Sequence, residues 1–280
     1  TCDWSSDVCS SDLLLRAIRL GMHGANLIVE SAKGECNYGQ HEIAFRYEDA
    51  LRTCDNHSVY KMGAKEIASQ MGQSLTFMAK FNEREGNSCH IHLSFRDKKG
   101  NPILAGEAGD GLSKAGRAYI AGIQKHMREL TLLFAPNINS YKRYQAGTFA
   151  PTAIKWGRDN RTCALRLVGQ GQSLRVENRV PGGDVNPYLA VAGMVAAGLS
   201  GIEENAELEP IFQGNAYALE TDRVPTSLKE ARDLWANSSW VRDTFGEDVQ
   251  KHYTHMADTE LDAFGRAVTD WERFRSFERM

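Results

Sequence analysis

The sequence predicts an α+β fold in which helices flank a curved, mainly antiparallel sheet. Four segments repeat apolar residues at the 3.6-residue period of a helix that buries one face: residues 48–71, 113–134, 187–203 and 259–277. Four others alternate apolar and polar residues as half-buried strands do: residues 74–80, 89–96, 163–168 and 174–180. Strands of doubly wound parallel sheets are apolar throughout, so the alternation favours an antiparallel or mixed sheet with one polar face.

Shorter elements precede these segments. We expect an amphipathic helix at residues 14–22, a strand at residues 26–30 and a glycine-punctuated, carboxylate-bearing stretch at residues 34–47. The longest apolar run, residues 188–199, is too short to span a bilayer and predicts a buried helix. Because no repeat or Pro/Gly-rich linker divides residues 14–280, we expect a single domain there.

Residues 1–13 differ in character from the rest of the chain. Their stretch DWSSDVCSSDL has three Asp, no Lys or Arg and no apolar periodicity, and it reads like one translated frame of a sequencing-library adapter. We interpret it as a non-native segment, after which the native sequence begins near Leu14. The alternative is a natural N-terminus that is acidic and disordered.

The charge and the cysteine content limit the partners and the compartment. The 280-residue chain has 33 basic and 36 acidic side chains, and removing the three Asp of residues 1–13 leaves 33 of each. This balance gives no electrostatic reason to expect nucleic acid or an anionic membrane as a partner. The six Cys show no CxxC and no zinc-like spacing, which indicates a reduced, cytoplasmic protein.

Two alternating segments carry candidate chemistry on their polar faces. In residues 89–96 that face holds two imidazoles, a hydroxyl and a guanidinium, namely His90, His92, Ser94 and Arg96. In residues 174–180 it holds Arg175, Glu177 and Arg179, and Arg161 and Arg166 lie shortly upstream. Such arginines suit bidentate binding of phosphate and carboxylate. A solvated strand face and a cross-strand salt-bridge ladder explain the two patterns equally well.

Carboxylates flank the glycine-containing turn within residues 34–47. Glu35 and Glu42, together with His90 and Glu177, form a donor set dominated by oxygen, which suits Mg²⁺ or Mn²⁺ better than zinc. Neither GxxxxGK[ST] nor GxGxxG occurs, so a nucleotide site here would be of another type.

Six motifs follow one another along the chain: GQHE with Glu35 upstream, GNSCHIHLS, NSYKRYQAGTFAP, RDNR with a later LR, RVENR and NPYLA. In this order they resemble the catalytic domain of class I glutamine synthetases over nearly all of residues 14–280. The resemblance implies a ligase that uses ATP to phosphorylate the γ-carboxylate of glutamate and lets ammonia or an organic amine displace the phosphate. It also implies two or more Mg²⁺ or Mn²⁺ ions per site and a homo-oligomer of stacked rings.

The resemblance assigns a role to each matching residue. Glu35 and Glu42 match ligands of the metal on the glutamate side, and His90 and Glu177 match ligands of the metal between the nucleotide phosphates. The positions that match nucleotide contacts are Tyr47, His92, Ser94 and Arg175. Those that match contacts to glutamate or to the transferring phosphoryl group are Gly86, Arg143, Arg161, Arg166 and Arg179, with Arg161 and Arg179 expected to be catalytic.

Two departures from the family pattern bear on activity. Ammonia-using members have a flap Glu where this chain has Phe149, in GTFAP, and an aromatic ring cannot take a proton from ammonium. We therefore expect an organic amine, of the polyamine or ethanolamine type, to be preferred over ammonia. The family's N-terminal domain and its Glu-x-Glu strand do not precede Leu14, so we expect these 280 residues alone to be nearly inactive.

Other interpretations remain open. A non-catalytic family member would serve assembly or amine sensing, but it would need neither both metal half-sites nor the Arg161 guanidinium. An unrelated metalloprotein with carboxylate and His ligands would leave NSYKR and RVENR unexplained. Tyr217 falls near a position where some relatives carry a regulatory tyrosine, and we expect it to be an ordinary loop residue.

Overall fold

The computed structural model describes residues 10–107, 109–145 and 147–279. In that part of the chain the helices are α1 (Ser10–Gly24), α2 (Ala50–Gln70), α3 (Lys114–Phe134), α4 (Ile138–Tyr141), α5 (Pro187–Glu203), α6 (Leu228–Asn237), α7 (Ser239–Phe245), α8 (Glu247–Arg266) and α9 (Asp270–Ser276). The strands are β1 (Val29–Gly34), β2 (His41–Phe45), β3 (Ile91–Leu93), β4 (Trp156–Arg158), β5 (Leu165–Val168) and β6 (Arg175–Asn178). The predicted α+β class is confirmed.

The strands form two sheets. One has the order β3, β6, β5, β4, with antiparallel pairing of β3 with β6 and of β6 with β5, and parallel pairing of β5 with β4. The other is the antiparallel hairpin of β1 and β2. The larger sheet is therefore mixed but mainly antiparallel, and its parallel edge strand β4 was not evident from the sequence.

The main apolar cluster packs one face of the larger sheet against α3, α5 and α6. The sheet contributes Leu165, Leu167 and Val176, and Met127 of α3 and Trp235 of α6 are completely buried among them and their neighbours. Fully buried side chains of this size are the main apolar contribution to stability. The opposite face of the sheet is consequently left to polar residues.

Helices α3 and α5 approach each other closely because both present glycine at the crossing. A Cβ on Gly122 would collide with the carbonyl oxygen of Ala197, so no larger residue fits this contact. The small residues of the run 188–199 are thus explained by helix packing. Helix α5, which the sequence predicts to be buried, is buried on one side only, because Tyr188 and Leu199 are more than a third exposed.

The first elements of the chain differ from their predicted bounds. Helix α1 begins at Ser10, inside the segment that lacks apolar periodicity, and Asp12 in its first turn favours a helix start there. Its buried face joins α2 and the hairpin in a second, smaller apolar cluster. The strand expected at residues 26–30 begins only at Val29, since Asn26 has a left-handed φ of 62° that no strand accepts.

Residues 74–80 do not form the predicted strand. Their backbone groups bond to a side chain and a loop instead: Lys80 N–H donates to Asn139 Oδ1 at 2.8 Å, and Ala79 O accepts from Asn87 N–H at 2.8 Å. Alternation predicts which side of an extended segment is buried. A strand also requires a neighbouring backbone to pair with, and this segment has none among the described residues.

The helix predicted over residues 259–277 is two helices. Helix α8 ends at Arg266, and α9 begins after Thr269, whose side chain forms a capping box with Glu272. Helix α8 also starts earlier than predicted, and the short helices α4, α6 and α7 were not evident from periodicity. None of the described helices is both long enough and apolar enough to cross a bilayer.

Candidate active site

The polar face of the larger sheet carries several of the predicted site residues. His92 of β3, Glu177 of β6 and Arg166 of β5 are direct ladder partners, so they form one row across three strands. The alternate residues of β3 and β6 pack into the apolar cluster on the other face. The alternation predicted for residues 89–96 and 174–180 is therefore confirmed.

Glu177 lies at the centre of this row and is only 2% exposed. Its Oε1 accepts a hydrogen bond from Arg179 Nη1 at 2.7 Å, and its Oε2 accepts one from Arg166 Nη1 at 2.9 Å. His90 Nδ1 lies 3.3 Å from Oε1, and His92 Nε2 lies 3.8 Å from it. Burial of a carboxylate is costly unless the charge is paired, and here two guanidiniums pair it.

The His90 imidazole is held in its neutral form. Burial, reinforced by the Arg179 and Arg143 charges, keeps the pKa of His90 well below its usual value. The ring nitrogen that faces Glu177 Oε1 is Nδ1, and in the neutral imidazole a lone pair there can bind a cation together with that oxygen. Nε2 is buried and has no hydrogen-bond partner within the described residues. An imidazole nitrogen and a carboxylate oxygen 3.3 Å apart are spaced as two ligands of one cation are.

A second carboxylate fixes the Arg166 guanidinium. Asp159 Oδ1 accepts from Arg166 Nε at 2.8 Å and also contacts Nη2, and the Arg166 charge holds the pKa of Asp159 below its usual value. Arg161 follows in the same turn, is exposed, and makes no hydrogen bond or ion pair in the part of the chain described. Its guanidinium therefore remains available to an anionic ligand.

Arg143 and Gly86 meet beside the sheet. Arg143 is 1% exposed, its Nη1 donates to Ser88 Oγ at 3.0 Å, and its Nη2 donates to Val180 O. Its Nε is buried without a partner among the described residues. A Cβ on Gly86 would lie 2.6 Å from Arg143 Cγ and 2.5 Å from Ala79 O, so only glycine fits there. The fold thus brings together two residues that we expect to contact glutamate.

The hairpin of β1 and β2 carries the other pair of expected metal ligands. Lys33 lies directly opposite Glu42 in the ladder, and Glu35 follows it two residues later. The Lys33 ammonium is 2.9 Å from Glu35 Oε1 and 3.4 Å from Glu42 Oε1, and both contacts raise the pKa of Lys33. An ammonium thus lies between the two carboxylates, where a bound cation would lie.

Both ligand pairs fit a divalent cation, although each supplies only two donors. Across the described ranges no group of three or more His, Cys, Asp or Glu has metal-ligand geometry. Glu35 and Glu42 already hold a cationic group between them, and the pair of His90 and Glu177 offers an imidazole nitrogen, Nδ1, 3.3 Å from a carboxylate oxygen. Carboxylate oxygen with imidazole nitrogen is a donor set that Mg²⁺ and Mn²⁺ accept.

The remaining expected residues lie at the margin of this network. Tyr47 and Ser94 are exposed, and the structure brings neither into a hydrogen bond with another described residue. Phe149 is 58% exposed and has a left-handed φ of 58°, which is unusual for an aromatic residue. The Tyr217 hydroxyl is buried without a partner in the described chain, and burial raises its pKa.

Sequence reasoning missed four residues that support the site: Asp159, Lys33, Asn37 and Gln40. Lys33 was detectable, since it precedes Glu35 by two residues and alternation puts both on one strand face. Asp159 reaches Arg166 only because the fold brings the turn back over β5. The two amides bond to residues 82–87, which no local pattern links to the hairpin.

Comparisons with known proteins point to one family. The sequence model of the family "Glutamine synthetase, catalytic domain" matches residues 6–276. The gamma-glutamylethanolamide synthetase GlnA4 of Streptomyces coelicolor is 64% identical, over 95% of this chain and 57% of its own length. The glutamate–isopropylamine ligase of a Pseudomonas species is 37% identical, over 95% of this chain and 59% of its own. The chain therefore spans little more than half the length of these relatives.

Two solved structures have the same fold. One is titled "GmaS/ADP complex-Conformation 1" and matches with a TM-score of 0.87 at 30% identity, covering 99% of this chain and 68% of that one. The other, titled "Apo GmaS without ligand", matches with a TM-score of 0.87 at 29% identity, covering 98% of this chain and 67% of that one.

Proposed function

The chain belongs to the glutamine synthetase family, and on that premise we propose that the intact protein is an ATP-dependent ligase that joins glutamate to an amine. The observation that carries the proposal is the buried Glu177, which lies between two guanidiniums and has Nδ1 of a neutral His90 3.3 Å from its Oε1. A buried imidazole whose pKa is lowered, beside a charged partner, is typical of active sites.

The proposed reaction has two steps. An oxygen of the glutamate γ-carboxylate attacks the terminal phosphorus of ATP, the bond from that phosphorus to the bridging oxygen breaks, and ADP leaves. The nitrogen of the amine then attacks the acyl carbon of γ-glutamyl phosphate, phosphate leaves with the electron pair of the broken C–O bond, and the proton lost by the nitrogen goes to the departing phosphate. Both steps need positive charge around the phosphoryl group and protection of the acyl phosphate from water.

This chain's arginines supply part of that charge. Arg161 is exposed and unpaired among the described residues, and Arg179 projects from the buried Glu177 network, so we assign both to the transferring phosphoryl group. Arg175 donates to His92 Nδ1 at 3.3 Å, and we assign this pair to the nucleotide. Mg²⁺ or Mn²⁺ bound at the two ligand pairs would neutralise the phosphates.

We place the glutamate substrate beside Arg143 and Gly86. The buried, unpartnered Nε of Arg143 is a charged donor, and a carboxylate is the anion that satisfies a guanidinium best. Arg166, in contrast, uses Nε and both terminal nitrogens on Asp159 and Glu177. We therefore propose that Arg166 contributes to substrate binding mainly by orienting Glu177.

We further propose that the preferred acceptor is an organic amine rather than ammonia. The ring of Phe149 is exposed, and an aromatic ring can pack against the alkyl part of an amine or attract its cationic form, but it cannot accept a proton. Two relatives support the proposal, since one is named for an ethanolamide product and the other for isopropylamine. We propose a cytoplasmic homo-oligomer of stacked rings for the intact protein, as the family resemblance implies.

A non-catalytic role in assembly or amine sensing is the competing proposal. To distinguish the ligase from the non-catalytic role, the intact protein is incubated with ATP, Mg²⁺, glutamate and ethanolamine. ADP and the γ-glutamyl amide are then measured by mass spectrometry. The ligase forms ADP only when glutamate and amine are both present, and one amide appears per ADP. ATP binding by calorimetry without product formation would support the competing role.

A further inference from the structure

The β1–β2 hairpin is joined to the Gly86 region by side-chain amides. The turn of the hairpin consists of residues 37–40, here called the hairpin turn, and it lies against residues 82–87, here called the glycine loop. Asn37 and Gln40 of the hairpin turn each use one amide nitrogen to donate two hydrogen bonds to the glycine loop, at 2.8–3.0 Å. With the bond from Asn82 Nδ2 to Asn37 Oδ1 at 3.4 Å, five hydrogen bonds connect two segments that are more than forty residues apart in sequence.

Asn37 is fully committed to this contact. It is 7% exposed, and its Nδ2 donates to Asn82 Oδ1 at 2.8 Å and to Glu85 O at 2.9 Å. Its Oδ1 accepts from Tyr38 N–H at 2.9 Å. Both hydrogens and the oxygen of the amide are thus satisfied, and a buried amide satisfied on all sides holds its neighbours in fixed positions.

Gln40 makes the contact nearest to the expected glutamate site. Its Nε2 donates to Gly86 O at 3.0 Å and to Asn87 Oδ1 at 2.8 Å, and its Oε1 accepts from Asn37 N–H at 3.2 Å. Asn87 in turn donates through Nδ2 to Met78 O, and its carbonyl accepts from Gly183 N–H. The bond from Gln40 therefore enters a loop whose position is already fixed from two other sides.

The two joined segments carry residues that we expect to bind different partners, a divalent cation at the hairpin and glutamate at the glycine loop. The hairpin turn is flanked by Glu35 and Glu42, and Glu35 N–H donates to Gln40 O at 2.9 Å. The glycine loop carries Gly86 and continues to Ser88, which accepts from Arg143. If a bound cation displaced the hairpin, the two amides would shift the glycine loop with it. If bound glutamate displaced the glycine loop, the same amides would shift the hairpin.

We propose that Asn37 and Gln40 are positioning residues that couple divalent-cation binding at Glu35 and Glu42 to glutamate binding at the glycine loop. The inference rests on the proposed function, because it requires both ligands to bind. Coupling of this kind is reciprocal: if glutamate tightens Mn²⁺ binding by some factor, Mn²⁺ tightens glutamate binding by the same factor. Neither residue is expected to touch a reacting atom.

The test measures Mn²⁺ affinity of the intact protein with and without glutamate, by electron paramagnetic resonance of free Mn²⁺. The variants are Q40A and Q40E, and Q40E keeps the shape of the side chain while removing both donors. The control is Q73A, because the Gln73 side chain makes no hydrogen bond with any described residue. The ATP KM and the melting temperature are recorded for all four proteins, since a merely structural defect would alter them.

We expect glutamate to tighten Mn²⁺ binding about 5-fold or more in the unchanged protein and in Q73A, and less than about 2-fold in both Gln40 variants. Their ATP KM should change by less than about 2-fold. If one variant fails to fold, the other decides. If glutamate tightened Mn²⁺ binding in Q40E or Q40A as much as in the unchanged protein, the inference would be overturned and the proposed function would stand. An unchanged protein that binds neither Mn²⁺ nor glutamate would overturn both the inference and the proposed function.

Discussion

Arg166 lies directly opposite Glu177 in the β5–β6 ladder, and its Nη1 donates to Glu177 Oε2 at 2.9 Å. The register of two strands thus produces the ion pair at the centre of the site. Because Glu177 also pairs with Arg179 and lies beside His90, one buried carboxylate sets the position of three cationic or metal-binding groups. The structural role of Glu177 is therefore separable from any role as a metal ligand.

Replacing Glu177 by Ala should destabilise the fold by about 3 kcal/mol or more, because the buried Arg179 guanidinium then loses its carboxylate. Glu42→Ala is the matched control, since Glu42 is an expected metal ligand whose contact with Lys33 is exposed, and it should cost less than about 1 kcal/mol. Urea unfolding measures both. Equal midpoints for the two variants would contradict the central role of Glu177.

Gly86→Ala should disturb the glutamate side of the site. The added Cβ would meet Ala79 O and Arg143 Cγ at 2.5 and 2.6 Å, so the loop has to move, at a cost of about 1–3 kcal/mol. The glutamate KM should rise several-fold while the ATP KM stays the same. Gly265→Ala in α8 is the control, because its Cβ meets nothing within 4 Å and alanine favours a helix. An unaltered glutamate KM in Gly86→Ala would place glutamate elsewhere.

Lys33→Met should strengthen Mn²⁺ binding. A divalent cation between Glu35 and Glu42 has to displace the Lys33 ammonium, and an exposed pair of this kind is worth about 0.2–1 kcal/mol, or about 1.5- to 5-fold in affinity. Mn²⁺ titration followed by electron paramagnetic resonance gives the two dissociation constants. Lys98→Met, at an exposed lysine without an ion pair in the described chain, should leave the affinity unchanged. Weaker binding by Lys33→Met would mean that the lysine assists the cation.

His57 should make the fold sensitive to mild acid. Burial, assisted by the Lys61 charge, lowers the pKa of His57 to about 4, whereas an unfolded chain has a His pKa of about 6.5. Between these values the unfolded state binds a proton that the folded state excludes, so the free energy of unfolding falls as the pH falls.

His57→Gln should remove this acid-induced loss in the free energy of unfolding, which amounts to about 2 kcal/mol at pH 5. Urea unfolding of both proteins at pH 7.5 and pH 5 isolates the contribution of the imidazole, because every other titrating group is common to the two. The unchanged protein should lose more stability between the two pH values than the variant does. Equal losses would mean that the imidazole, 4.0 Å from Cys89 Sγ, is not excluded from protonation.

The polar face of the sheet was predictable because alternation depends on the strand alone. His92 and Glu177 had to project away from the apolar cluster whichever strands paired, and the structure places them so. The sequence could not predict that one row holds His92, Glu177 and Arg166, since the register of the strands depends on segments far apart in sequence. Residues 74–80 illustrate the converse, because they alternate although no strand of the described chain pairs with them.

Contacts made through turns were the least predictable part of the site. Glu35 and Glu42 could be named from their motif, and alternation puts Lys33 beside Glu35, but the contact of the same ammonium with Glu42 follows from hairpin pairing. Asn37 and Gln40 lie in a turn, where an amide commonly bonds to its own backbone. Their donors instead reach the glycine loop, which only the packing of the hairpin against that loop brings within range.

The most direct test of the proposed ligase is its choice of acceptor. Phosphate release by the intact protein is measured with ATP, Mg²⁺ and glutamate, and kcat/KM is compared for ethanolamine, isopropylamine, a diamine and ammonium. We predict that an organic amine exceeds ammonium by about 10-fold or more, and that Phe149→Glu narrows this ratio because a carboxylate balances ammonium and takes its proton. Ammonium as the best acceptor of the unchanged protein would contradict the proposal.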